Sequence, residues 1–233
     1  MAVTPQNNDA FFREVDEELR RAKVTGLWQR YGRLIILFVA LGLAALAGVL
    51  WWQYHSEQQA GADGEKLSAA LHDLGAGKQP DARAALDALA TSPRPGYRAA
   101  AHMAIAGMAL EKNDQKTAIT AYQGVLDDTK LGQPSRDAAM LRETLAQFDT
   151  LPPATVVTRL KPLAIEGNPW FGSAGEMVAI SYLKLNKPEL AGPLFGELAK
   201  DAKVPQSIRG RALQMASLLG VDVVQQATAA AKE

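Results

Sequence analysis

Apolar positions are concentrated first in one long run near the N-terminus, where residues 34–54 contain no Asp, Glu, Lys or Arg. At about 1.5 Å per residue, a helix over this run spans roughly 31 Å, which matches the hydrocarbon core of a membrane. Aromatic residues lie at both ends of the run, where interfacial belts are found: Trp28, Tyr31, Trp51, Trp52 and Tyr54. The pattern predicts a transmembrane helix over residues 34–54.

Two other interpretations of this run are weaker. A cleaved signal peptide would use the small-residue site Ala45-Leu46-Ala47, but the run continues beyond that site. The 33 residues before the run also mix acids with bases, whereas signal peptides have a short basic n-region. A core helix of a soluble protein is rarely apolar on every face over such a length. We therefore expect an uncleaved membrane anchor.

Basic residues are distributed unevenly about the run. Residues 14–33 carry five of them, and residues 55–74 carry only Lys66. Because the cytoplasmic flanks of membrane helices are enriched in Lys and Arg, the sequence predicts a cytoplasmic segment over residues 1–33. Residues 55–233 then form a domain on the other side of the membrane, which is the periplasm in a bacterium with two membranes.

Small residues recur inside the run at Ala40, Ala44 and Gly48, one helical turn apart. This spacing favours the close approach of a second transmembrane helix, although Ala and Gly are also common in membrane helices without such a role. These three residues are the candidate packing face within the membrane.

The segment before the run has the pattern of an amphipathic helix over residues 9–32, with Asn8 or Asp9 suited to its N-cap. Apolar residues fall at spacings of three and four on one face: Phe12, Val15, Leu19 and Ala22. Such a helix either lies against the membrane surface or a partner, or forms a solvated arm that leads into the anchor.

Beyond residue 54 the pattern changes to a series of shorter helical segments of roughly 12–18 residues, separated by Gly, Pro and Asn. The breaks fall near residues 75–77, 93–95, 113–114, 132–134, 152–153, 167–169, 186–188 and 205. Helical segments of this length, separated by such breaks, are typical of helical hairpins.

One motif recurs within these segments: a small or β-branched residue, a large apolar residue four positions later, and another three positions further. It occurs at Ala82, Leu86 and Leu89; at Ala118, Tyr122 and Val125; at Val156, Leu160 and Leu163; and at Ala191, Phe195 and Leu198. Successive first members are 36, 38 and 35 residues apart, and another helical segment precedes each motif. The sequence predicts an all-α solenoid of about four helix–turn–helix units.

The segment ALEKNDQKTAITAYQGVL resembles a tetratricopeptide repeat, with Asn113-Asp114 at the turn between its helices and Ala118 at their crossing. YLKLNKPELAGPLFGEL is a second match, and the other two units are more degenerate. The resemblance implies a tetratricopeptide-like solenoid that leaves a concave face free to bind a partner.

The order of elements is similar to that of one family. A charged helix ends in Leu27-Trp28-x-x-Tyr31-Gly32, and one membrane span, the stretch WWQYHSEQQA and tetratricopeptide-like hairpins follow. The chain resembles the ancillary SecYEG translocon subunits of Gram-negative bacteria, the YfgM-type inner-membrane proteins. The resemblance implies a single-pass protein of the bacterial inner membrane with a cytoplasmic N-terminus and a periplasmic repeat domain. It further implies the SecYEG translocon and periplasmic chaperones as partners.

Composition narrows the classes of function. The chain has 25 basic and 25 acidic residues and no basic stripe, which argues against a nucleic-acid partner. Aromatic residues make up only 6% of the chain, and alanine, the best helix former, is abundant. The absence of cysteine excludes disulfides and thiolate metal sites.

Candidate chemistry is sparse, so we expect no enzyme, cofactor, metal or small-molecule substrate. His55, His72 and His102 lack an HExxH or carboxylate-rich setting. LGAGKQ at 74–79 lacks the first glycine and the Ser or Thr of a phosphate loop. FGSAG at 171–175 has the wrong spacing for a nucleophile elbow.

Trp170 and Phe171, in the stretch NPWFGS at 168–173, are the candidate partner-binding aromatics, because aromatic residues dominate interface hot spots. Alternatively, they fill the core between two units. The function that fits best is a membrane-anchored protein–protein interaction module, an accessory translocon subunit that links protein export to periplasmic chaperones. A tetratricopeptide-like scaffold in envelope assembly or cell division is the alternative with the same topology.

Overall fold

A computed structural model describes residues 6–221 of the chain, with side chains from residue 30 onward. Over this range the chain is all-helical, as the sequence predicts, with nine α-helices and no strand. They are α1 (Gln6–Gly75), α2 (Gln79–Leu89), α3 (Pro95–Glu111), α4 (Gln115–Leu126), α5 (Gln133–Ala146), α6 (Pro153–Leu160), α7 (Phe171–Lys184), α8 (Pro188–Lys200) and α9 (Gln206–Leu218). The predicted amphipathic face at Phe12, Val15, Leu19 and Ala22, and the belt residue Trp28, lie outside the described side chains.

Proline and turn residues set the helix boundaries at the places that the sequence predicts. All eight predicted breaks fall at helix ends. Proline occupies one of the first two positions of α2, α3, α5, α6 and α8, where its missing N–H is no loss because that group has no partner inside the helix. Asp114 caps α4 by accepting a hydrogen bond from the Thr117 N–H at 3.0 Å.

The chain forms two compact units, Met1–Gly61 and Ala62–Glu233. Within the described residues, α1 is the one helix long and apolar enough to cross a membrane, with an 18-residue window of mean hydropathy 2.7. Its apolar side chains are exposed, including Phe38 and Trp52 at 72% and 69%. At the end of the apolar run the rings of Trp51 and His55 stack with their centroids 5.6 Å apart.

The second unit is a stack of helical hairpins. All twelve residues of the recurring motif are buried, with no side chain more than 4% exposed, so the predicted repeat is confirmed. The motif lies on α2, α4, α6 and α8, except that Leu163 follows the end of α6; these are the B helices. The A helices are α1 from Ala62 onward, α3, α5, α7 and α9. From α2 to α9, each helix contacts the next, and neighbouring A helices also contact each other.

The two helices of each hairpin cross at a pair of buried residues, twelve positions apart in the chain. The pairs are Ala70 and Ala82, Ala106 and Ala118, Thr144 and Val156, and Ala179 and Ala191, all at most 1% exposed. Ala212 is the equivalent buried residue of α9. Small side chains at these crossing residues let the two helix axes approach closely.

The A helices of three hairpins end on a residue with left-handed backbone: Gly77 at φ +76°, Asn113 at +59° and Asn186 at +57°. The next N–H then donates to a carbonyl five residues back, as Asp114 does to Ala109 at 2.8 Å. This is the hydrogen bond of a Schellman turn, which closes the helix and reverses the chain.

Asn113→Ala is expected to lower the free energy of unfolding by about 1 kcal/mol, because a Cβ without a polar side chain is disfavoured in the left-handed region. Asn113→Gly keeps that conformation accessible and is expected to be close to neutral. Denaturant unfolding of the full chain in detergent measures both. Lys112→Ala, at φ −92°, is the control, and equal losses for Asn113→Ala and Lys112→Ala would contradict the prediction.

Candidate partner-binding face

One position recurs on every A helix: the residue that directly follows the buried crossing residue. It is occupied by Leu71, Gly107, Leu145, Ile180 and Leu213, of which Gly107 and Ile180 are partly buried. Leu71, Leu145 and Leu213 are 49%, 60% and 40% exposed. Among the described residues of the second unit, large apolar side chains with such exposure are few, and half of them occupy this one position of the repeat.

The residues four before and three after this position lie on the same side of each A helix. They are Leu67 and Leu74, Met103 and Leu110, Leu141 and Phe148, Glu176 and Leu183, and Arg209 and Ala216. Only Glu176 and Arg209 carry charge. Leu141 and Ala216 are buried, and the other eight residues are partly buried. We call this set, together with the five residues of the recurring position, the A-helix face.

From α3 to α9 the A-helix face is continuous, because α3 contacts α5, α5 contacts α7, and α7 contacts α9. Between α3 and α5 it opens into a cavity of about 360 Å³ whose lining includes Ala100, Met103, Val125 and Ala138. Ala100 and Ala138 occupy equivalent positions, six residues before their crossing residues. Their small side chains leave room there for an apolar group of a partner.

Several charges beside the A-helix face are paired within the chain. Arg211 donates to Glu176 through Nε and Nη2 at 2.6 and 2.7 Å, a two-pronged contact. Lys184 Nζ lies 4.3 Å from the centroid of the Phe148 ring, a cation–π contact. These contacts leave apolar side chains as the chief means by which this face can recognise a partner.

A polar network joins the first two hairpins. The Ser92 hydroxyl donates to Asp63 at 2.8 Å, and Arg98 donates to the Ser92 carbonyl at 2.6 Å. Arg98 also pairs with Asp128, its Nε lying 3.0 Å from Oδ2. The hydrogen bonds from Arg98 lower the pKa of the Asp128 carboxyl, so that carboxylate supports the fold across the neutral range and loses this role only in acid.

His102 lies within this region of α3, against Gly124 of α4. A Cβ at Gly124 would lie 2.8 Å from His102 Cε1, so glycine makes room for the imidazole ring. Partial burial lowers the pKa of His102, and repulsion by Arg98 lowers it further, while Asp128 and Asp87 oppose the shift. The folded chain therefore favours the neutral imidazole.

Because the pKa of His102 is lower in the folded than in the unfolded chain, the unfolded chain binds more protons below about pH 6.5. We expect His102 to make the fold less stable as pH falls through that range. Melting temperatures of the full chain and of His102→Gln at about pH 7.5 and 5.5 measure this, and the wild type is expected to lose more than the variant. Equal losses would show that His102 does not contribute.

The two aromatic residues singled out from the sequence occupy different environments. Phe171 is 2% exposed and belongs to a core cluster with Phe195, which fits the core-filling alternative. Trp170 is partly exposed, and its backbone N–H donates to Asn168 Oδ1 at 2.8 Å. Both line a cavity of about 360 Å³ at the start of α7, together with Pro205. A binding role for these aromatics stays a prediction.

Ala40, Ala44 and Gly48 are exposed on α1. A Cβ at Gly48 would meet no atom within 4 Å, so space for a second helix exists beside it. Their role as a packing face also stays a prediction.

In the part of the chain with described side chains, no three His, Asp or Glu residues lie close enough together to hold a metal ion. The A-helix face itself was missed by sequence reasoning, which followed the B helices. A constant spacing in the sequence could have revealed this face. Each B-helix motif begins twelve residues after a small residue, and that spacing determines which side of the A helix is buried.

The model of one protein family, the tetratricopeptide repeat-like domain, matches residues 26–147, just over half of the chain. The match covers the apolar run of α1, the first two hairpins and α5. No curated protein and no solved structure matches the chain.

Proposed function

Because the chain belongs to the tetratricopeptide repeat-like domain family, whose members bind other proteins through stacked hairpins, we propose that it is a membrane-anchored protein-interaction scaffold. The A-helix face is its partner-binding surface. The observation that carries this proposal is the recurrence of exposed leucine at one position of the repeat, at Leu71, Leu145 and Leu213. Exposed apolar side chains lower solubility, and a continuous patch of them is typical of a surface that another protein covers.

The anchor is the apolar run of α1 at residues 34–54, with residues 1–33 in the cytoplasm and residues 55–233 in the periplasm of a bacterial inner membrane. Support comes from the length of the run, its aromatic ends and the asymmetry of basic residues. The chain has no cysteine, so single-cysteine variants report on topology directly. A membrane-impermeant maleimide should label Lys112→Cys in cells with a permeable outer membrane, and Thr4→Cys only after lysis. The reverse pattern would contradict this orientation.

The partners proposed for the scaffold are the SecYEG translocon and periplasmic chaperones, so that the repeat unit links protein export to folding. The order of charged segment, single membrane helix and tetratricopeptide-like hairpins supports this finer assignment. Anchoring beside an export channel raises the effective concentration of the A-helix face for emerging chains. The scaffold then needs no chemistry of its own.

Mild crosslinking of membranes, detergent extraction and purification through the full chain test this assignment. We expect translocon subunits or periplasmic folding factors among the recovered proteins. Recovery of cell-division or outer-membrane assembly proteins instead, with a mid-cell location of the chain, would favour the envelope scaffold. Recovery of none of these partners would contradict the assignment.

Ala44→Leu with Gly48→Leu is expected to reduce co-purification of membrane partners by about tenfold or more, because bulky side chains keep two membrane helices apart. The soluble partners of the repeat unit should be recovered as before. Leu43→Ala is the control within the same helix. Unchanged recovery of membrane partners would show that Ala44 and Gly48 face lipid.

A further inference from the structure

The third hairpin, formed by α5 and α6, differs from the others where its helices cross. The other three hairpins pair alanine with alanine, whereas the third pairs Thr144 with Val156. All of these crossing residues are at most 1% exposed. Larger side chains at a crossing hold helix axes further apart, so the α5–α6 crossing is the bulkiest of the four.

The third hairpin also buries polar groups that its neighbours lack. The Thr144 hydroxyl is buried without a hydrogen-bond partner, where the other hairpins have the methyl group of alanine. Glu143 is 4% exposed, and its carboxylate accepts from Gln147 at 3.0 Å and from Arg159 at 3.5 Å. The equivalent residues are Ala69, Ile105 and Val178. Buried polar groups with missing or long hydrogen bonds destabilise a fold.

The turn and the length of the third hairpin differ as well. Its A helix ends without a left-handed residue, so it lacks the turn found at Gly77, Asn113 and Asn186, and Pro152-Pro153 begins the B helix instead. Helix α6 has 8 residues, the fewest of the described helices, and residues 161–170 that follow it are not helical. This hairpin therefore combines a short B helix with a turn that lacks the left-handed residue of the other three.

The buried core is divided at the same place. One cluster of buried apolar residues runs from Ala70 to Ala139, and another runs from Phe171 to Ala216. A smaller cluster between Leu141 and Val178 connects them. The stack thus has a well-packed part on each side of the third hairpin.

We propose that the third hairpin is a built-in hinge of the repeat unit. Residues 133–170, which comprise α5, α6 and the segment that follows α6, open locally while the hairpins before and after them stay folded, so the distance between α2 and α8 varies. Local opening concentrates in units whose buried polar groups have missing or long hydrogen bonds, and hinge motion follows where such a unit joins two stable parts. The A-helix face crosses this hinge, so its opening changes the spacing of Leu71 and Leu213.

Hydrogen–deuterium exchange of the full chain in detergent tests the hinge. Backbone amides of α5 and α6 should exchange at least about tenfold faster than those of α3 and α4. Thr144→Ala together with Glu143→Val, which installs residues found in the other hairpins, should slow exchange in α5 and α6 by about tenfold or more. Thr120→Ala is the control, because Thr120 is exposed on α4 and its hydroxyl donates to the Lys116 carbonyl. It should leave exchange in α5 and α6 unchanged. Equal exchange in the two hairpins, or no slowing in the double variant, would overturn the proposal.

A distance measurement is a second test of the hinge, and it requires no substitution in the core. Spin labels on Asp87→Cys and Glu197→Cys report the separation of α2 from α8 by pulsed electron resonance. Labels on Asp87→Cys and Lys116→Cys, both before the hinge, form the control pair. The first pair should give a distance distribution at least about twice as wide as the second. Equal widths would overturn the hinge.

Discussion

Replacing Phe195 by alanine will lower the free energy of unfolding of the repeat unit by about 3–5 kcal/mol. Phe195 is 1% exposed and lies on α8, in a cluster that includes Phe171 of α7 and Ala212 of α9. Its ring therefore joins three helices of the stack. Removing it leaves a cavity that rigid helices on several sides cannot close, which is the condition for a large loss.

Denaturant unfolding of the full chain in detergent, followed by far-ultraviolet circular dichroism, measures this loss. Leu190→Ala is the matched control on the same helix, because Leu190 is 45% exposed. It should change the free energy of unfolding by about 0.5 kcal/mol or less. If both variants were destabilised equally, α8 would not pack through the face that carries the repeated motif.

Replacing Leu71, Leu145 and Leu213 together by glutamine will weaken partner binding by roughly a hundredfold, because a loss of about 1 kcal/mol at each of three positions multiplies the dissociation constant to that extent. Glutamine keeps both the helix propensity and the net charge. The fold should hold, since the three leucines are exposed and make few core contacts. Quantitative co-purification of the partner with the full chain measures the effect.

Leu190→Gln serves as the control for the triple variant, because Leu190 is similarly exposed but lies on a B helix. It should leave partner binding unchanged. Equal weakening by Leu190→Gln would place binding on the opposite side of the stack, and an unchanged triple variant would remove the A-helix face from the interaction.

The B helices were predicted well from the sequence because the spacing of their motif determines which residues lie on the buried face. A small residue followed by two large apolar residues, as at Ala118, Tyr122 and Val125, selects one helix face, and all of its occurrences are buried. Helix ends were equally clear, since proline and left-handed asparagine or glycine mark them chemically. At these positions the residue type alone determines where the helix begins or ends.

The A-helix face and the third hairpin were harder to predict because they depend on pairs of helices. In the sequence, nothing distinguishes Leu145 from the apolar residues of the core. Its exposure follows from the orientation of α5, which buries the adjacent Thr144. Because Glu143 is charged, sequence reasoning places it on the surface. It is nevertheless only 4% exposed, because it lies on the side of α5 that packs against the core. Phe171 was ambiguous between core and interface for the same reason.

In the proposed scaffold, the repeat unit binds a partner by shape and apolar contact, and the anchor keeps the repeat unit at the membrane. Side-chain pairs such as Glu176 with Arg211 satisfy charge within the chain, so partner selection depends on how a segment fits the exposed leucines. In this proposal the anchor restricts partner selection to proteins that pass close to the bilayer.

The most direct test of the scaffold is photo-crosslinking in cells that produce the full chain. A photoreactive amino acid at position 145, 71 or 213 should form adducts with another envelope protein, and the same probe at position 190 should form few or none. Adducts at 190 alone, or none at any position of the A-helix face, would contradict the assignment of that face as the partner-binding surface.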